Sequence, residues 1–387
     1  LPIPLTESII LKTSWDIFCR VIDNFGDIGI TWRLARQLVC EYGQSVRLWV
    51  DDLNAFARLC PAVNNKADSQ WQSGVKICRW PLDGQLITPA QIVIEAFACR
   101  LPDVVERAMA DGAGRLWLNL DYLSAEDWIE GCHGLPSPQA NGAVKYFFFP
   151  GFSEQSGGLL RERDLLQQRL AFQQDKTAQG NFLAKLGITR EKSARLISLF
   201  TYENPQLTDW LQALAQDGLP TQLLVPQGRI LHSLQSGLKI SDLQAGQHYR
   251  RGHLSLHILP FVSQEDYDRL LWCCDFNLVR GEDSFLRAQW AGRPMLWHIY
   301  PQEEQAHLIK LEAFLALYLR HMPADSAAAL ADFWRNWNKG KPLAASWQRL
   351  LSDFPQLQHQ AEHWATEQAR QMDLAAKLVQ FCRARLS

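Results

Sequence analysis

Two stretches of the chain hold residue types whose spacing could do chemistry. The first, CRVIDNFGDIGITWRLARQL (residues 19–38), places Asp23 and Asp27 four apart in a turn with Gly26 and Gly29, after an apolar run and ahead of an amphipathic one. Carboxylates in such a place can accept a proton or hold the edge of a cation. Each is also ordinary where it stands, Asp27 as a helix N-cap and Asp23 as a turn residue. The second stretch is LPFVSQEDYDRLLWCCDFNLVRGEDSFLRAQWAGRPMLWHIYPQEEQ (259–305). It reads as a helix over 264–273, a strand over 275–279, an RGEDS turn and a further helix closed by Gly292, Arg293 and Pro294. Glu282, Asp283 and Ser284 fall in the first turn of that helix. Free N–H groups and the positive end of the helix dipole can hold a diphosphate there, with Arg280 adding a charge-assisted contact. Capping alone would also explain Asp283 and Ser284. An acidic turn repels phosphate, so Glu282 and Asp283 must point away from it or toward hydroxyls.

These residues need elements to position them. The periodicity predicts a strand over 14–22, a helix over 29–43 with Gly43 as C-cap, and a strand over 45–52, which together make a β–α–β unit. Further strands are expected at 74–80, 91–97 and 114–123. Such an order implies parallel pairing with right-handed crossovers, and parallel open sheets bind ligands at the carboxyl ends of their strands, where Asp23 to Gly29 would sit. Residues 131–158 are rich in Gly, Pro and Ser, and 159–180 are polar and helical in pattern. Strand patterns then restart at 194–204, 221–229, 253–262, 273–281 and 292–300. The expected organisation is α/β, with one domain over 1–185, a second over 186–365, and a C-terminal helix over 366–387 that can pack back across both.

At 387 residues the chain is long enough for two ordinary domains. Its 39 basic and 41 acidic residues leave a net charge of −2, which argues against a general phosphate-binding surface and so against nucleic acid. No run approaches the roughly 18 apolar residues of a membrane span. The first residues, LPIPLTESIILKTSWDIF, do not read as a secretory signal, and a cytoplasmic location is expected. Nine scattered cysteines form no CxxC pair, which suits reduced, mostly buried thiols better than a disulfide framework or a zinc site. The fifteen tryptophans read mainly as packing, with a few that could line a groove. His257 and His298 lie inside apolar strands and read as hydrogen-bonded core residues. The run YFFFPGF (146–152) reads first as core or inter-domain packing and second as a groove lining.

The layout of 259–305 resembles the nucleotide-sugar half of GT-B glycosyltransferases, in which two Rossmann-like domains face a cleft. FCRVIDNFGDIGITWRLARQL taken with LPFVSQEDYDRLLW and RGEDSFLRAQWAGRPMLWHIYPQ is narrower. It is similar to the protein-arginine rhamnosyltransferases that modify bacterial elongation factor P, from about residue 14 to the end. That resemblance implies an inverting transfer of L-rhamnose from dTDP-β-L-rhamnose to an arginine side chain of elongation factor P, with no metal and no cofactor. The amino half would receive the acceptor protein and the carboxyl half the nucleotide sugar. By motif, Phe261 and Gln264 lie where thymine is stacked and read, and Phe200 and Tyr202 of LFTYEN face the same cleft. Arg280, Asp283, Ser284 and Tyr300 fall where the diphosphate and sugar are held. Glu282, Asp23 and Asp27 are the carboxylates implied for turnover.

The residue types suit that chemistry. An arginine guanidinium stays protonated near neutrality and must lose a proton to attack a sugar carbon. One carboxylate can take that proton while another fixes the other edge of the planar fork. Asp27 is assigned as the base and Asp23 as the orienting group, and the two roles could be exchanged. Glu282 would hold a sugar hydroxyl or stabilise the cationic sugar centre. The leaving dTDP would be stabilised by the helix N-terminus and Arg280, and no D-x-D metal pattern stands in a loop. A GT-B enzyme acting on a lipid-linked glycan or a small molecule is the alternative, although no basic membrane-surface helix supports a lipid acceptor. A dinucleotide-binding Rossmann protein fits poorly, because FGDIG is not G-x-G-x-x-G.

Overall fold

In the computed structural model, which describes residues 13–22, 25–82, 84–110 and 114–386, the chain forms two units. Asp23 lies outside the described residues. One unit takes the chain up to Ser124, then 128–163 and the tail from Met372; the other takes 164–371 with 125–127.

The first unit is built on an eight-stranded sheet of β1 (Ser14–Cys19), β2 (Ser45–Val50), β3 (Ser69–Gln72), β4 (Val75–Arg79), β5 (Ile92–Ala96), β6 (Leu116–Leu120), β7 (Pro136–Pro138) and β8 (Val144–Phe148). The spatial order is β3-β4-β2-β1-β5-β6-β8-β7, with β3 and β7 as antiparallel edges. The six parallel strands between them therefore follow the doubly wound order 3-2-1-4-5-6, and the order reverses between β1 and β5. β1 and β5 are buried along nearly their whole length, as is usual for central strands of a parallel sheet. The first crossover is the Gly26–Tyr42 helix, which stops at Gly43, where φ is +64° and the N–H closes on the carbonyls of Leu38 and Val39.

The second unit repeats the scheme with β9 (Arg195–Leu199), β10 (Thr221–Pro226), β11 (His248–Arg251), β12 (Leu254–Leu259), β13 (Phe276–Arg280) and β14 (Met295–His298). Its order is β11-β12-β10-β9-β13-β14, parallel except for the β11 edge, so this sheet reverses between β9 and β13. Trp210 meets Trp337 and Trp347 edge to face at 5.5 Å, and Phe314 stacks on Trp334 at 5.7 Å, so much of the tryptophan complement is core.

Residues 164–185, placed by composition in the first domain, pack instead on the second unit. The Arg169 guanidinium donates to the Trp290 carbonyl at 3.0 Å, and Gln173 donates to the carbonyls of Trp272 and Ala291. These contacts satisfy orphan carbonyls at the C-terminal ends of two helices, Gln264–Cys273 and Asp283–Ala291, which polarity in the sequence does not reveal.

The tail is two helices rather than one, Phe354–Gln368 in the second unit and Leu374–Leu386 in the first. Lys377 donates to the carbonyls of Ser153, Glu154 and Ser156, and Phe381 lies 5.4 Å from Phe148. Tyr146 to Phe148 belong to β8, and Phe148, Phe149 and Phe152 are buried, so the aromatic run is largely core. Six of the nine cysteines are buried. Among the described residues no helix is long and apolar enough to cross a membrane.

Candidate active site

In the second unit, the polar and aromatic side chains singled out in the sequence gather where the strand order reverses. β9 ends at Leu199, and the Phe200 N–H bonds to the Leu278 carbonyl, so Phe200 and Tyr202 leave the sheet beside the end of β13. Arg280 is the last residue of β13 and only 7% exposed. Its guanidinium sits 4.7 Å from the Phe200 ring centre and 4.9 Å from that of Tyr202. Two aromatic faces thus hold a nearly desolvated cation, and its Nη1 makes no hydrogen bond among the described residues.

The chain then turns at Gly281, where φ is +58°, into the Asp283–Ala291 helix. Trp297 Nε1 donates to the Gly281 carbonyl at 2.8 Å and pins the turn. Ser284 and Asp283 do not cap this helix with their side chains. Ser284 Oγ accepts the Arg280 N–H at 3.1 Å and donates to the Arg280 carbonyl, tying the helix to the strand end. Asp283 accepts from Gln264 Nε2 at 3.2 Å. Gln264 opens the Gln264–Cys273 helix, whose cap is Ser263 accepting the Asp266 N–H. Phe261 is half-buried just before it, and Glu282 is half-buried at the N-cap position of the Asp283–Ala291 helix. Tyr300 is 47% exposed and meets Tyr202 edge-on at 5.4 Å. The second-unit residues singled out in the sequence therefore stand on the strand ends β9, β12, β13 and β14 and the turns that follow.

Sequence reasoning missed several neighbours. Arg229 pairs with Glu203 at 3.0 Å and covers the Tyr202 ring at 5.5 Å. Its signal was only its place after β10. His298 was read as a hydrogen-bonded core residue. It is buried, but its Nδ1 makes no hydrogen bond among the described residues. It is the cross-strand partner of Arg280, and burial, with Arg280 second, holds its imidazole down at about 3. It is therefore neutral, which spares Arg280 a second cation. His257 meets the earlier expectation better, with Gln222 at 3.4 Å and burial lowering its value.

In the first unit, Asp27 stands at the second position of the Gly26–Tyr42 helix and is 2% exposed. It is not the N-cap, a position held by Phe25. Its carboxylate reaches back across the turn, accepting the Ile22 N–H at 2.9 Å on one oxygen and the Tyr122 hydroxyl at 3.2 Å on the other. Asp27 thus lies beyond β1, on the side of the sheet where the strand order reverses, and Tyr122 comes from beyond β6. Nothing in the sequence pointed to Tyr122.

Two Rossmann-like units, each with its polar cluster at the strand-order reversal, are the architecture of the GT-B class of glycosyltransferases. A UDP-glucosyltransferase from Polygonum tinctorium shares this fold at 10% identity, with a TM-score of 0.51 over 97% of this chain and 98% of that one. The chain belongs to the Elongation-Factor P (EF-P) rhamnosyltransferase EarP family, whose model matches residues 15–383. A protein-arginine rhamnosyltransferase from Pseudomonas putida is 56% identical over 374 residues, 96% of this chain and 99% of that protein. A solved structure described as the structural basis for EarP-mediated arginine glycosylation of translation elongation factor EF-P is 43% identical. Its TM-score is 0.69, covering 96% of this chain and 99% of that one.

Proposed function

We propose that the chain transfers L-rhamnose from dTDP-β-L-rhamnose, with inversion, to the guanidinium of an arginine of elongation factor P, and does so in the cytoplasm. The observation that carries this reading is the buried Asp27 carboxylate, which accepts a hydrogen bond on each oxygen where the first sheet reverses its strand order. In the proposed step a guanidinium N–H gives its proton to Asp27 as the nitrogen attacks the anomeric carbon. The carbon–oxygen bond to dTDP breaks and its electron pair leaves with the diphosphate. Attack from the face opposite the leaving group inverts the centre. Asp23 is assigned to the other edge of the guanidinium.

The second unit offers the donor contacts. Phe261 and Gln264 are assigned to thymine, and Phe200 and Tyr202 to the walls that hold Arg280. Arg280, Ser284 and the helix N-terminus meet the diphosphate, with Tyr300 and Asp283 toward the sugar. A guanidinium already held against two rings needs little reorganisation as the leaving group gains charge, so the proposal requires no metal or cofactor. Glu282 would steady a sugar hydroxyl or the cationic centre.

Intact-mass measurement of elongation factor P after incubation with the chain and dTDP-β-L-rhamnose tests this directly. One added deoxyhexose, mapped to an arginine and α-linked by NMR, is expected. An unmodified acceptor, with the sugar moved instead to a glycan or small molecule, would overturn it.

A further inference from the structure

Beyond β5 the backbone does something costly. Phe97, Ala98 and Arg100 have φ of +56°, +51° and +52°, a left-handed conformation that non-glycine residues avoid and that a bulky side chain tolerates least. Three such residues within four persist only where the surroundings over-determine them, and such strain collects at functional sites. Here the surroundings are specific. The Phe97 N–H bonds to the Leu120 carbonyl at 2.6 Å, and Cys99 Sγ donates to the Phe18 carbonyl at 3.4 Å. Glu95, 2% exposed, accepts the Arg100 N–H on one oxygen and Lys145 on the other, each at 3.0 Å.

The turn delivers one side chain to one place. The Phe97 ring, 5% exposed, stacks on Tyr122 with ring centres 4.6 Å apart and planes 19° from parallel. The Tyr122 hydroxyl in turn donates to Asp27. We propose that Tyr122 is a positioning residue for Asp27, aimed by the strained Phe97–Tyr122 stack, so that the carboxylate plane is set before an acceptor arrives. The inference rests on reading Asp27 as the base. A neutral hydroxyl can hold one carboxylate oxygen without neutralising it, which leaves the anion able to take a proton.

A double-mutant cycle on the full chain tests it, with turnover read as intact mass of elongation factor P at saturating substrates. Tyr122→Phe keeps the ring and removes only the hydroxyl. It should lower kcat about tenfold, as expected for one hydrogen bond to a charged group. The KM for dTDP-rhamnose should not move, and the variant should still unfold cooperatively. Phe97→Leu should lower kcat about threefold alone and add nothing in the Tyr122→Phe background, because both act through the same hydroxyl. If the two losses multiply, or if Tyr122→Phe turns over within twofold of wild type while Asp27→Asn is inactive, the positioning role is wrong and the base assignment survives. If Asp27→Asn is fully active, the base assignment itself fails and the inference falls with it.

Discussion

Acidification should destabilise the second unit through His298. This imidazole is 6% exposed and is held at about 3, whereas the unburied group titrates near 6.5. Because the folded value lies below the unfolded one, the unfolded chain takes up the proton first. The contribution to stability is therefore complete above about pH 6.5 and is lost as the pH falls toward 3. Those two values predict a loss of about 2 kcal/mol between pH 8 and pH 5. His298→Phe keeps a ring against Tyr202 and Trp337, which lie 5.3 and 6.2 Å away, but cannot titrate. Urea unfolding of both proteins at the two pH values, followed by tryptophan fluorescence, measures the difference, and any constant packing offset cancels. The variant should lose about 2 kcal/mol less than wild type over that interval. Identical losses would refute the claim that a neutral, buried imidazole lies beside Arg280.

Three further substitutions probe separate parts of the second unit. Phe261→Ala should weaken dTDP binding by about 1–3 kcal/mol in titration calorimetry, as expected when an aromatic platform under a base is removed; unchanged affinity would dismiss the stacking role. Glu282→Gln should leave dTDP affinity within about twofold and slow turnover about a hundredfold, which would mark a contact made chiefly in the transition state. Gly292→Ala should lower stability by about 1–3 kcal/mol. Its φ is +59° and a Cβ would fall 2.5 Å from the Arg169 guanidinium; a thermal melt matching wild type would show that this helix end is not clamped.

The parallel sheets were legible because their strands are short apolar runs and their crossovers carry helical periodicity. Gly43 ends its helix as composition suggests, and the helix at 264–273 starts and stops where the pattern places it. The antiparallel edge strands were not legible. β3 and β11 are polar and half-exposed, and β7 is three residues long with prolines at both ends. Strand ends were drawn too long in a consistent way. The apolar pattern runs on past Cys19 and Leu199, yet Ile22 and Tyr202 have left their sheets to meet Asp27 and Arg280. These residues continue the hydropathy of the strand that delivers them, so periodicity alone cannot separate strand from turn. Asp27 and Ser284 have good capping chemistry, and what the sequence hid is that each turns back to bond a residue before its helix. Tyr122 and Phe97 were invisible because their roles depend on strand ends brought together by topology.

Turnover by Asp27→Asn at saturating dTDP-rhamnose and elongation factor P tests the central claim most directly. An asparagine can still accept the Ile22 N–H and donate to the Tyr122 oxygen, so the fold should shift by no more than about 1 kcal/mol. The account predicts unaltered dTDP affinity and transfer slowed by about a hundredfold to ten-thousandfold, the range expected on losing a general base. Transfer at the wild-type rate would contradict it.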